Sequence, residues 1–171
     1  MLKPIALFIN GVFASVLDEI LETQSALPEQ ILFLQPYSGY VIKKLRDDVP
    51  SVESPMRLFL SITDDLATIR YQAEIVGWRD KRDLSQDEKQ SINRVIAALQ
   101  KGERELYNDA PSSTGENVNL LYVRRLQKVS SPFSVAQLRK LSDGEPLSTA
   151  RTTAGGYSYV ETEVLELAAS S

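Results

Sequence analysis

An α+β fold, with a mostly antiparallel sheet of five or six strands curled into a barrel and about three helices outside it, is what this sequence predicts. Three observations point there. The apolar periodicity switches between strand and helix spacing in the order βαβ–ββ–α–β–α–β. Between Met56 and Trp78 two β-rich runs follow each other with only a turn between them, which leaves no room for the crossover a parallel pair needs. The length of 171 residues suits one domain, residues 1–171, that buries roughly 70% of its unfolded surface without staples.

The elements are justified in chain order. Ile5 to Phe8 are apolar and read as a strand, and Asn10-Gly11 is a turn signal. Ser15 with Asp18 resembles a helix cap, and Val16, Leu17, Ile20 and Leu21 repeat at helical spacing. The helix ends near Ser25, because Pro28 cannot continue it. ILFLQPY, Ile31 to Tyr37, reads as a short buried strand stopped at Pro36, and GYVIKKL either continues it or turns. Arg46 to Pro55 is a loop. MRLFLSIT (Met56 to Thr63) and IRYQAEIVGW form a hairpin around Asp64-Asp65. On the second strand Ile69, Tyr71, Ala73 and Ile75 share one face, with Arg70, Gln72, Glu74 and Trp78 on the other. Ser85-Gln-Asp-Glu88 is a capping box, followed by Ile92, Val95, Ile96 and Leu99 on one helix face, with Gly102 as the stop. Asn108 to Asn117 is a loop. VNLLYVRRLQKV (Val118 to Val129) is a long strand that Pro132 breaks, Ser134 caps a short helix through Leu141, and Gly144 closes it. Gly155-Gly156 turns the chain into a last strand, YSYVETEVLEL.

Composition excludes much chemistry. The chain has no cysteine and no histidine, so disulfides, thiolate nucleophiles, imidazole bases and Ser-His-Asp triads are all ruled out within it. No cofactor is called for, although a carboxylate-bound magnesium or calcium is chemically open. No apolar run approaches the ~20 residues that span a bilayer, and Asn10-Gly11 interrupts the faintly signal-like start. A cytoplasmic protein is expected. The net charge of −4 argues against a generally basic nucleic-acid surface. The cations are nonetheless clustered: Lys43, Lys44 and Arg46; Arg79, Lys81 and Arg82; Arg124, Arg125 and Lys128; Arg139 and Lys140. Such clusters make either a local basic face or a set of solvated loop ends. IRYQAEIVGWRDKRD raises the same choice in miniature. It ends on the only Trp of the chain and then on Arg79, Lys81 and Arg82. A lone Trp is either core or a stacking surface for a flat ligand.

Three stretches, taken together, resemble the PUA-like superfamily, and within it the EVE and ASCH domains. They are the opening strand-helix followed by ILFLQPY, the hairpin RLFLSIT…IRYQAEIVGW, and LLYVRRLQKVSSPFSVAQLRKL; GGYSYV falls where such domains place their last strand. The resemblance implies a non-catalytic module that recognises a modified base, flipped out of DNA or, second, RNA, in an aromatic pocket. Such modules serve as sensors of modification-dependent restriction or defence systems, and the chain would suit one domain of a longer effector protein or a partner of one. A flipped base must recover a few kcal/mol of unstacking, and an aromatic returns roughly 1–3 kcal/mol by stacking. On that reading Trp78, Tyr37 and Tyr40 stack the base, Ser61 and Thr63 bond its edge, and Tyr157 and Tyr159 wall the pocket. Arg79, Lys81, Arg82, Arg124 and Arg125 hold phosphates. Arg124 and Arg125, adjacent on a strand, point to opposite faces, so at most one serves a given groove. Tyr71 and Tyr122, in strand interiors, belong to packing. Two other functions compete: a protein-interaction module using the acidic surface and the helix Ser85–Lys101, and an ASCH-type enzyme built on Asp64, Asp65 and Glu74. Paired aspartates at a hairpin tip are, equally, ordinary turn residues.

Overall fold

The computed structural model describes residues 5–12, 14–26, 32–34, 49–80, 85–87, 119–150 and 157–161. Six strands form one mixed sheet: β1 (Ile5–Val12), β2 (Leu32–Leu34), β3 (Met56–Ile62), β4 (Thr68–Asp80), β5 (Asn119–Ser134) and β6 (Tyr157–Glu161). Their order across the sheet is β2-β5-β4-β3-β1-β6. Four neighbouring pairs are antiparallel, and β1 with β3 is parallel. The parallel pair is possible because helix α1 (Ala14–Ala26) and β2 lie between its strands in the chain and supply the crossover.

The mostly antiparallel α+β expectation therefore holds, but the barrel does not. β2 and β6 are the two edges and do not pair with each other. The segment after β5 partly compensates. The chain at Lys140 makes a single bridge to Val160, with Leu141 N–H donating to Tyr159 C=O and Glu161 N–H to Arg139 C=O. The outer side of β6 is thus covered by a short segment rather than by a closing strand.

Two apolar clusters lie on the two faces of the sheet. The larger gathers Leu7, Ile9, Met56, Leu58, Leu60, Tyr71, Ala73, Ile75, Leu121, Val123 and Leu126 under α1, which contributes Leu17 and Ile20. The smaller gathers Ala6, Phe8, Phe59, Ile69, Phe133 and Val160 under Val135, Leu138 and Leu147. Phe59 and Phe133 meet edge to face with centroids 6.0 Å apart.

Several local expectations need correction. Asn10-Gly11 is not a turn: β1 runs through it, with a slip in pairing between Ile9 and Val12 that Gly11 accommodates at φ 80°. α1 begins at Ala14, so Ser15 sits inside its first turn rather than capping it. Pro132 does not break β5. The β4–β5 pairing is irregular between Ile69 and Tyr71, so the chain around Pro132 is not asked for a ladder hydrogen bond there. The helix expected from Ser134 to Leu141 shrinks to the 3-10 turn Val135–Gln137, although Ser134 Oγ does cap it by accepting from Ala136 N–H at 3.1 Å. Of the three helices expected, α1 is the only complete one among the described residues. Gln86 and Asp87 are helical immediately after Ser85, while residues 88–101 lie outside the described residues.

Candidate functional site

Among the described residues the sheet carries a polar area on the face of the smaller cluster, and the strand register explains it. Arg57 on β3 pairs with Glu74 on β4, which pairs with Arg124 on β5. In the next row Phe59 pairs with Gln72, which pairs with Gln127. Phe59 belongs to the core, so the polar residues abut buried apolar surface.

Between these rows β5 bulges. Two residues, Arg125 and Leu126, face Ala73 alone, since Gln72 pairs with Gln127 and Glu74 with Arg124. Arg125 adopts φ 55°, a left-handed conformation that glycine usually supplies at such a bulge. The bulge diverts the backbone of Leu126, and Gln24 of α1 takes its place as partner. Gln24 Nε2 donates to Leu126 C=O at 2.8 Å, and Leu126 N–H donates to Gln24 Oε1 at 2.8 Å. One side-chain amide thus completes what a neighbouring strand would have provided.

At this point a groove of about 370 Å³ opens, lined by Gln24, Arg57, Gln72, Glu74, Arg125 and Gln127 together with Ala73 and Leu126. The volume falls within the ~300–1,000 Å³ of small-molecule pockets. Glu74 is committed: its Oε1 accepts from Arg124 Nε at 2.8 Å and lies 3.5 Å from Arg125 Nη1. Arg124 also donates to Val52 C=O at 3.1 Å. Arg125 keeps 70% of its side chain exposed. The side chains of Arg57, Gln72 and Gln127 make no hydrogen bond or ion pair with a described residue, so their polar groups face the groove with capacity to spare.

The residues singled out from sequence are distributed unevenly. Arg124 and Arg125 come together on Glu74, and Arg125 lines the groove. They do not simply alternate across the strand, because the bulge at Arg125 breaks the alternation. Trp78 is half-buried and packs against the larger cluster, on the face of Ile75 rather than that of Glu74. A pairing slip between Ile75 and Gly77 reverses the expected alternation there. Tyr159 packs against the same cluster from β6, with β1 and β3 between its strand and that of Trp78. Tyr122 packs there as well, as expected of a strand-interior tyrosine. Ser61 is fully buried; its hydroxyl accepts from Gly11 N–H at 2.9 Å and donates to Asn10 Oδ1 at 3.2 Å. Thr63 follows β3, and its N–H donates to Val12 C=O. For Arg79 and Tyr157 only the backbone is described, paired with Leu120 and Ile9. Tyr37, Tyr40, Lys81 and Arg82 lie outside the described residues.

Two carboxylates of the enzyme reading, Asp65 and Glu74, are paired with arginines. Asp65 accepts from Arg70 Nη2 at 2.8 Å, and this bond, with a further one from Thr68, holds its carboxyl below the usual range. Among the described residues no three acidic side chains gather as a metal site. Nor is any described helix long and apolar enough to cross a membrane.

Sequence patterns do not single out Arg57, Gln72, Gln127 or Gln24. Arg57 does leave a trace, as the lone charge within the apolar run MRLFLSI. Only the register of three strands shows that it belongs with Gln72 and Gln127. No protein-family model matches this chain, and no curated protein or solved structure matches it either.

Proposed function

We propose that this chain is a non-catalytic nucleic-acid-binding module that takes a modified base, turned out of its strand, into the groove at the β4–β5 bulge. The observation that carries the reading is the lining of that groove: Arg57, Gln72 and Gln127 face it without partners among the described residues, beside an exposed Arg125. Side-chain amides offer adjacent donor and acceptor, the pattern that matches a base edge. A guanidinium plane offers a surface on which an unstacked base can lie, so the groove can work without an aromatic floor. Arg124 and Arg125, with Arg79, Lys81 and Arg82 further along the chain, are the candidates for phosphate contacts. The acidic total charge confines binding to this local face. Trp78 serves the core in this arrangement, and the groove replaces it as the seat of the base.

The test is fluorescence anisotropy of the whole chain against short duplexes and single strands, unmodified and carrying methylated or hydroxymethylated bases, at two salt concentrations. The reading expects preference for a modified base, with affinity that falls as salt rises because phosphate contacts release counterions. Absence of binding to every oligonucleotide at low salt overturns it and favours a protein-interaction module.

A further inference from the structure

Resting on the nucleic-acid reading, we infer that Arg57 determines which base enters the groove, and that this base is a guanine-type 6-oxopurine. The basis is an ion pair that does not form. Arg57 stands directly opposite Glu74 in the β3–β4 ladder, where cross-strand side chains come within about 5 Å of each other and opposite charges pair. Glu74 instead turns to β5, where Arg124 and Arg125 both reach its Oε1. The bulge is what places the second arginine there, since Arg125 is the extra residue in its left-handed conformation. Arg57 is left half-buried with five N–H donors and no described acceptor.

A guanidinium in that position selects a ligand edge carrying two adjacent acceptors and no donor. Among the bases, guanine presents such an edge, O6 with N7, and a bidentate arginine is its usual partner. Adenine offers N7 beside an amino donor, which would confront the guanidinium with another N–H. Gln72 and Gln127 line the same groove and have donors and acceptors for the remaining edge. Lysine would not substitute for Arg57, because a point charge lacks the planar fork.

The experiment compares single-stranded oligonucleotides of one sequence carrying guanine, 7-deazaguanine or adenine at a single position, with anisotropy as the readout. Wild type is expected to bind guanine about 5- to 100-fold more tightly than adenine or 7-deazaguanine. Arg57→Met and Arg57→Lys should each bring the guanine-to-adenine affinity ratio to within about twofold of one, chiefly by loss of guanine affinity. The base analogues need no variant, so they decide the matter even if a substitution unfolds the protein. Equal binding of the three strands by wild type overturns the inference and leaves the nucleic-acid reading standing. Uniform weakening of all strands by Arg57→Met, with a shallower salt dependence, also overturns it, by making Arg57 a phosphate contact. Failure of all three strands to bind at low salt overturns the inference, and failure of the methylated and hydroxymethylated oligonucleotides as well removes the nucleic-acid reading with it.

Discussion

Gln24 does at one position what a strand does along its length. Its amide satisfies both backbone groups of Leu126, so truncation leaves a donor and an acceptor unpaired. Gln24→Ala is expected to cost about 1–3 kcal/mol, measured by urea unfolding, and Gln24→Glu should recover only part, since it keeps the acceptor and loses the donor. Nothing in LETQSA distinguishes this residue from a solvated polar position, because its role depends on a bulge 102 residues away. Tyr71 is a different case. Its place inside a strand predicts packing, and it does lie in the larger cluster, but its hydroxyl also donates to Asp18 at 3.2 Å. Burial, followed by the neighbouring Asp18 charge, raises its pKa. A raised folded-state pKa means that the contribution is present below the unfolded value of about 10 and is lost as pH climbs beyond it. The stability difference between wild type and Tyr71→Phe should therefore be flat near neutrality and move against wild type above about pH 10. Trp78→Ala is expected to lower stability by about 1–3 kcal/mol, less than for a fully buried aromatic, with base preference unchanged.

The bulge in β5 is the element that turns a regular sheet into a site. Its signal lies in the sequence as a change of phase: Leu121 and Val123 alternate, and the next core residue is Leu126 rather than residue 125. A strand read as one uninterrupted run hides that slip, and the same blindness puts Trp78 on the wrong face. Strand existence survives such errors because it rests on composition, whereas facing rests on counting by twos through every irregularity. Deleting Arg125 would make the pattern formally regular. It should also draw Leu126 into the ladder opposite Ala73 with every side chain on its present face, so cooperative unfolding is expected to survive while the pairing with Gln24 is lost, at a cost of about 1–3 kcal/mol. Arg125→Gly, by contrast, should leave stability within about 1 kcal/mol of wild type. Relief of left-handed strain, roughly 1–2 kcal/mol, is largely offset by the extra freedom of glycine in the unfolded chain.

At the scale of the whole molecule, the order of the described strands is readable in the sequence and their closure is not. Hydrophobic runs announce strands, but whether the last strand meets the first edge or another depends on pairing that no local pattern encodes. Here the segment after β5 covers the outer side of β6 and seals the smaller cluster with Leu138 and Leu147. Leu138→Ala is expected to cost about 2–5 kcal/mol and to expose this cluster to a hydrophobic dye. The place of β1 between β3 and β6 also has a consequence in time. Leu7 finds one neighbour in Leu58 but must wait for Tyr159 to find the other. Pairings so distant along the chain slow folding towards the millisecond-to-second range. During synthesis one edge of β1 remains open until β6 has emerged, and an open apolar edge recruits other chains. A ribosome that stalls before Tyr157 would thus release a product more prone to clump than to fold.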